Sequence, residues 1–210
     1  SNVTDLGQMF YNCNNLKGNA TFGQWDTSKI TSMISMFQGT KFNQNIGNWN
    51  TSSVIDMNSM FANCSFNQPI GNWNTSNVTN MSRMFTTCSV LANIDSLANW
   101  DTSKVTDMSW MFGNDDGGAM EISDLTPIEK WNVSKVTKMD KMFGGCKIQN
   151  LNAISNWNVS NLASVSQMFQ GNPITDASGI NNWNITKVTN FASMFDLCPT
   201  HPEFTKVTGT

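Results

Sequence analysis

The chain has 210 residues, and its 39% hydrophobic content is enough for a buried core in one or two domains. Charged residues make up only 13% and the net charge is −3, so there is no basic stripe for a phosphate backbone and no nucleic-acid partner is expected. No apolar run approaches the ~18 residues of a membrane span, and the start, "SNVTDLGQMF", has neither the basic end nor the apolar stretch of a signal peptide. Without an initiator Met, it reads as a processed chain or an excised segment.

In chain order, the first recognisable unit is the pair Met9-Phe10, which opens the chain without a tryptophan before it. Seven fuller copies follow, at Trp25, Trp49, Trp73, Trp100, Trp131, Trp157 and Trp183. In each, a Phe preceded by Met stands 12 residues after the Trp: Phe37, Phe61, Phe85, Phe112, Phe143, Phe169 and Phe195. The distance from each Phe to the next Trp varies instead from 12 to 19 residues. One segment is fixed and the other is a loop that tolerates insertion, which is the signature of a repeat architecture.

Within the fixed segment, Trp+5 holds Ile30, Val54, Val78, Val105, Val136, Leu162 and Val188, and Trp+8 holds Met33, Met57, Met81, Met108, Met139, Val165 and Phe191. Both positions are expected to face inward. Trp+9 is mostly Asn, Ser or Asp, with Gly7 in the first copy. That choice predicts a helix cap, followed by about one helical turn carrying Met-Phe and terminated by glycines such as Gly39, Gly113, Gly144 and Gly171. A turn that short has to bury its apolar side against its neighbours. The residues expected to form the repeating core are typified by Trp73, Val78, Met81, Met84, Phe85 and Cys88.

Stacking also accounts for the 30 Asn residues and the abundance of Ser and Thr. Equivalent residues of stacked strands lie about 4.8 Å apart, where like charges repel by about 0.9 kcal/mol even in bulk water. Neutral amides and hydroxyls can bond along such a column instead. Ten Asn-x-Ser/Thr sequons, including Asn50, Asn74, Asn132, Asn158 and Asn184, arise mainly as by-products of the pattern.

All five cysteines fall three residues after the repeated Phe: Cys13, Cys64, Cys88, Cys146 and Cys198. Thr40, Asp115 and Asn172 fill the same place elsewhere, so the position is expected to tie backbone rather than to perform redox chemistry. Cys64 and Cys88 fall in successive repeats and are spaced for a bridge, but the odd count argues against a disulfide framework. One His and no close Cys pair do not supply a zinc site.

These residues resemble a known family: bacterial surface-protein repeats of about 26 residues, abundant in mycoplasma proteins of unassigned function, with the pattern W-[DN]-x-S-x-V-x-x-M-x-x-M-F. That family looks related to BspA-type leucine-rich repeats, in which Ala-Phe-x-x-Cys fills the place of Met-Phe-x-x-Cys here. The resemblance covers nearly the whole chain. It implies a leucine-rich-repeat-like α/β solenoid, a right-handed coil stack with short parallel strands and one-turn helices, spanning 1–210 as one domain. It also implies an extracellular or cell-surface location and a role in adhesion or partner binding. The chain departs from the pattern in its repeat lengths and in preferring Asn after Trp, with only Asp26 and Asp101 keeping the acid.

Candidate sites are few. His201 is the only histidine and has no nucleophile placed beside it, and no acidic pair stands out, so no enzyme activity and no cofactor are expected. The longest insertion, after Phe112, holds Asp115, Asp116, Glu121 and Asp124 without the alternating spacing of a calcium loop, and reads as an acidic surface loop. Trp110 occupies a register that elsewhere holds Gln8, Ser35, Ser59, Arg83, Lys141, Gln167 and Ser193, all outward-facing choices. Its indole is either an anchor for a partner or is covered by the insertion that follows. Lys29, Lys104, Lys135 and Lys187 form an interrupted basic column, read as a solvated edge rather than an anionic-glycan contact. Thr27, Thr51, Thr75 and Thr102 give way to Val133, Val159 and Ile185, which suits packing better than an ice-binding ladder.

The leading expectation is a non-enzymatic interaction module binding protein or glycan on another surface, with Trp110, Asp115, Asp116 and Glu121 as candidate partner-binding residues. The alternative is a structural, end-to-end associating element of a fibre, filament or envelope. Both ends show partial repeats without polar caps.

Overall fold

The computed structural model describes residues 2–114 and 120–205. Three small devices bend the backbone in nearly every repeat. The first follows the tryptophan directly. The Asp or Asn at Trp+1 accepts, through Oδ1, the backbone N–H two residues on, at Ser28, Ser52, Ser76, Ser103, Ser134, Ser160 and Thr186. Such an Asx turn mimics a backbone turn and needs only a short side-chain oxygen, so Asn serves as well as Asp. A second turn closes at once from the Trp+5 N–H to the Trp+2 carbonyl, as in Val54 to Thr51 at 2.9 Å.

The second device lies at Trp+7. Asp5, Ser32, Asp56, Asn80, Asp107, Lys138, Ser164 and Asn190 are joined by an unbroken series of parallel bridges, each repeat to the next. The Asp and Asn members again accept the N–H two residues on, at Gly7, Asn58, Ser82, Ser109 and Ala192. In these five repeats the Trp+9 residue receives a cap from Trp+7 rather than supplying one, whereas Asp140, itself at Trp+9, accepts the Ser166 N–H of the next repeat at 2.9 Å.

The third device replaces the expected helical turn. From Trp+8 onward alternate N–H groups point in two directions. Met36 and Gln38 bond back three residues within their own repeat, while Met33, Ser35, Phe37 and Gly39 reach Asp56, Asn58, Met60 and Ala62 of the next. The residue just before each Met-Phe pair has a left-handed φ, between 49° and 62°, in all eight copies. A left-handed residue cannot propagate a right-handed helix, so Met-Phe is carried on tandem turns. Helical structure among the described residues is confined to five short 3-10 segments, Ala20–Gln24, Asp95–Leu97, Thr126–Ile128, Asn152–Ile154 and Ser178–Ile180, all ahead of a tryptophan. None is long and apolar enough to cross a membrane.

These bends turn one set of side chains inward. Trp73, Val78, Met81, Met84, Phe85 and Cys88 are all buried, as are their described counterparts in the repeats of Trp49, Trp100, Trp131 and Trp157. The repeated Phe rings stack from Phe10 to Phe195 at centroid spacings of 5.3–5.9 Å. The indoles stack from Trp25 to Trp131, and again between Trp157 and Trp183, at 6.1–6.4 Å. Both spacings exceed the ~4.8 Å of a peptide ladder, so the rings, more than the backbone, set the distance between repeats on this side.

Six of the indole N–H groups also have an acceptor. Trp49, Trp73, Trp100, Trp131, Trp157 and Trp183 donate through Nε1 to the carbonyls of Phe22, Ile46, Ile70, Leu97, Ile128 and Ile154, at 2.7–3.2 Å. In every case the acceptor stands three residues before the tryptophan of the preceding repeat. The Thr column is buried too, and Thr27, Thr51, Thr75 and Thr102 each donate Oγ1 at 3.0 Å to the Trp+1 carbonyl of the next repeat. Where Val133, Val159 and Ile185 take over, packing remains and that bond is gone.

The cysteines are free thiols. Cys88 Sγ donates to the carbonyls of Cys64 and Phe66, Cys64 Sγ to Phe42, and Cys198 Sγ to Phe169. Thr40 and Asn172 make the same kind of tie with oxygen or nitrogen, to Phe37 and to Phe143 and Phe169. Burial pushes the thiols of Cys64, Cys88 and Cys146 up, toward the protonated form.

Three outcomes are expected. Gln167→Gly relieves a non-glycine residue at φ 57° and should raise stability by roughly 0.5–1 kcal/mol in denaturant titration. Gly39→Ala should lower it by more than about 1 kcal/mol, because Gly39 sits at φ 72° and an added Cβ would stand 2.4 Å from Asn12 Oδ1. Mass spectrometry after brief iodoacetamide exposure should find Cys13, the exposed thiol, modified first, with Cys64, Cys88 and Cys146 protected until the chain unfolds.

Candidate functional site

The left-handed residue before Met-Phe is exposed at Gln8 and Arg83 and partly exposed at Trp110, Lys141, Gln167 and Ser193, whereas Ser35 and Ser59, expected to face outward, are buried. In the fourth Trp-containing repeat it is Trp110, at φ 62° and partly exposed. Its ring is not bare. The guanidinium carbon of Arg83, from the repeat before, lies 4.7 Å from the ring centroid, and Nζ of Lys141, from the repeat after, lies 4.3 Å from it. A cation over an indole face contributes about 0.5–1 kcal/mol at an exposed site. The backbone around the ring is fixed as well: Trp110 N–H donates to the Asp140 carbonyl at 2.7 Å, and Thr86 Oγ1 donates to the Trp110 carbonyl.

Side chains of the same register from the adjoining repeats thus lie over the Trp110 ring, while residues 115–119 of the insertion expected to cover it lie outside the described residues. Arg83 and Lys141 were absent from the candidate set, although their positions immediately before and after Trp110 in one column carried the information. Beside them, Ser109 Oγ is buried with no partner among the described residues.

The acidic candidates separate. Asp115 and Asp116 lie outside the described residues. Glu121 is paired with Lys147 at 2.6 Å, with both side chains about half exposed, and a surface pair of this kind contributes about 0–1 kcal/mol. Asp124 accepts the Thr126 N–H at the start of a 3-10 segment, and hydrogen bonds from Thr126 hold its carboxyl below the usual carboxylate value. The second part of the insertion belongs to the repeat body: Met120, Ile122, Leu125 and Ile128 are buried, and the backbone pairs from Met120 to Gly145 and from Lys147 to Ile122. No group of three His, Cys, Asp or Glu side chains among the described residues is placed to hold a metal ion.

Other carboxylates and cations serve the turns. Hydrogen bonds from the hydroxyl and then the backbone N–H of Ser28, Ser103 and Ser178 hold Asp26, Asp101 and Asp176 below the usual carboxylate value. In the basic column, Lys104 and Lys187 donate Nζ to Asn77 and Asn161 of the preceding repeat at 2.6 and 2.7 Å. His201 is exposed, with Nδ1 3.2 Å from the Pro202 carbonyl.

In comparisons with known proteins, no curated protein matches the chain. A family model does match, twice and across almost the whole length, over residues 4–125 and 117–204. With the Trp-to-Met-Phe segment recurring through both spans, the chain belongs to the family described as Mycoplasma protein of unknown function, DUF285.

Proposed function

We propose that this chain is a leucine-rich-repeat-like, right-handed α/β solenoid that serves as a non-enzymatic interaction module at a bacterial cell surface, in adhesion. The relation to BspA-type repeats belongs to the same proposal. Parallel pairing of every Trp+7 residue with its counterpart in the next repeat supports the stacked architecture. So does the recurrence of the same buried ring columns through the chain. The role of Phe-x-x-Cys as a backbone tie supports the BspA relation.

The observation that carries the binding reading is the Arg83–Trp110–Lys141 stack. A repeat array that keeps its interior constant has its outer positions available for recognition, because changing them leaves the core bonds in place. Here one outer column abandons small neutral residues for two cations and an indole in three successive repeats. The ring fixes the direction of both cations, and the two positive charges they add to this outer column suit an anionic partner surface, a glycan or a protein loop.

Binding to an immobilised polysulfated glycan, with neutral dextran as the control, tests this. Trp110→Ser, which installs the residue found at Ser35, Ser59 and Ser193, should weaken glycan binding at least tenfold while the melting temperature stays within about 2 °C. Wild-type affinity in that variant, or equal binding to dextran, would refute the assignment.

A further inference from the structure

Positive charge gathers in one interior repeat. The segment from Trp131 to Phe143, "WNVSKVTKMDKMF", holds Lys135, Lys138 and Lys141, whereas no other Trp-to-Phe segment has more than one cation and the net charge of the chain is −3. The three lysines stand at Trp+4, Trp+7 and Trp+10. That interval matches the burial of the backbone that carries them: Val136, Met139 and Met142, each one residue later, are fully buried. A three-residue period inside imposes the same period outside, so the lysines keep one phase and share one side of the repeat. Lys135 and Lys138 are exposed, and Lys141 is partly exposed over the Trp110 ring.

The acids nearby are committed elsewhere. Asp140, the one acid of the segment, is partly buried, and its Oδ1 accepts Ser164 Oγ and the Ser166 N–H of the next repeat. Asp107, the bridge partner of Lys138 in the preceding repeat, turns Oδ1 to the Ser109 N–H at 2.8 Å. The Lys135 and Lys138 side chains have no hydrogen-bond or ion-pair partner among the described residues. On either side the charge fades. The Trp157 segment has no charged residue, and the Trp100 segment sets Lys104 between Asp101 and Asp107, with Lys104 Nζ turned back to Asn77 Oδ1 at 2.6 Å. The track therefore runs along one repeat and not down the stack, and from Lys135 to Lys141 the backbone reaches at most about 20 Å.

Between the lysines the surface offers acceptors. Thr137 is exposed, and its Oγ1 donates to the Thr106 carbonyl at 3.1 Å, the same oxygen that takes the Thr137 N–H at 2.9 Å. Thr106, also exposed, is held in the same way by the Thr79 carbonyl. With its proton committed, each hydroxyl oxygen is left to accept. Ammonium groups beside fixed hydroxyl acceptors complement a chain that carries both anionic groups and free hydroxyls.

We infer that the Trp131 repeat holds a linear acidic polysaccharide, its anionic groups on Lys135, Lys138 and Lys141 and its hydroxyls on Thr106 and Thr137. The expectation that Lys135 belongs to a solvated edge gives way because two further cations share its repeat and its phase. The inference rests on the Arg83–Trp110–Lys141 reading for one end of the track, and adds the direction, the length and the class of ligand.

Calorimetric titration of the wild-type chain with dextran sulfate fragments should show affinity rising about tenfold as the fragment grows past about 20 Å. Lys135→Asn and Lys138→Ser install the residues that Asn161 and Ser164 place in the same registers, so the fold should be kept. The double variant should lose the gain with length and lower the slope of log affinity against log salt by about two. It should still bind the shortest fragments as the wild type does, since Trp110 and Lys141 remain. Polyphosphate of matched length, which has no hydroxyl donor, should bind more weakly than dextran sulfate. A flat length series in the wild type, or a double variant that keeps both gain and slope, would overturn the track. The Trp110 reading then still stands if Trp110→Ser weakens binding of the shortest fragments. Polyphosphate binding as tightly as dextran sulfate would overturn the choice of a polysaccharide. Should the double variant unfold, the wild-type length series and the polyphosphate comparison decide by themselves.

Discussion

A backbone carbonyl three residues before the tryptophan accepts two hydrogen bonds, and the repeat is organised around it. Ile46 is typical: its oxygen takes the backbone N–H of Trp49 in the same repeat at 3.1 Å and the indole N–H of Trp73 in the next at 3.0 Å. Both lone pairs are used, one closing a turn and one joining neighbours. A buried donor or acceptor left without a partner costs about 1–3 kcal/mol. The indole must therefore reach this oxygen, and reaching it fixes where one repeat sits on the next. Phenylalanine would fill similar space without supplying the donor.

Once that distance and register are set, the other columns follow. The N–H groups from Trp+8 onward alternate between their own repeat and the next because left-handed residues at Trp+10 and near the end of the turn direct them so. Placing non-glycine side chains there costs roughly 1 kcal/mol each, and only a surrounding structure that holds the turn on both sides sustains it. The polar columns obey the electrostatics of close stacking. At Trp+7 the acids Asp5, Asp56 and Asp107 are separated by Ser32 and Asn80, and Asp107 is followed by Lys138, so no two acids are adjacent. In the outer column, Arg83 and Lys141 are likewise kept apart by the Trp110 ring, which each cation faces.

The candidate site was half legible. Trp110 stood out because an indole in a column of Ser, Gln and Lys breaks a pattern that the alignment of the chain with itself makes visible. Its partners did not stand out, because Arg83 and Lys141 are ordinary outward residues until the stacking distance brings them over the ring. Glu121 was read with the acidic loop, yet it lies in the part of the insertion that packs against the repeat body and pairs with Lys147. Sequence separation hid that pairing, since the two residues are neighbours only across repeats.

What the sequence determined by itself was periodicity: which segment is fixed, which side chains recur, and hence that Trp73, Val78, Met81, Met84, Phe85 and Cys88 share one interior. Those follow from side-chain hydrophobicity and spacing, which are local properties. Tertiary structure alone decided the backbone path. The Met-Phe segment has the cap residues and glycines of a one-turn helix, but its N–H groups find better-placed acceptors in the adjoining repeat than in their own. A short helix satisfies few of its own bonds, whereas tandem turns beside an identical neighbour satisfy nearly all, and that choice exists only once the neighbour is in place.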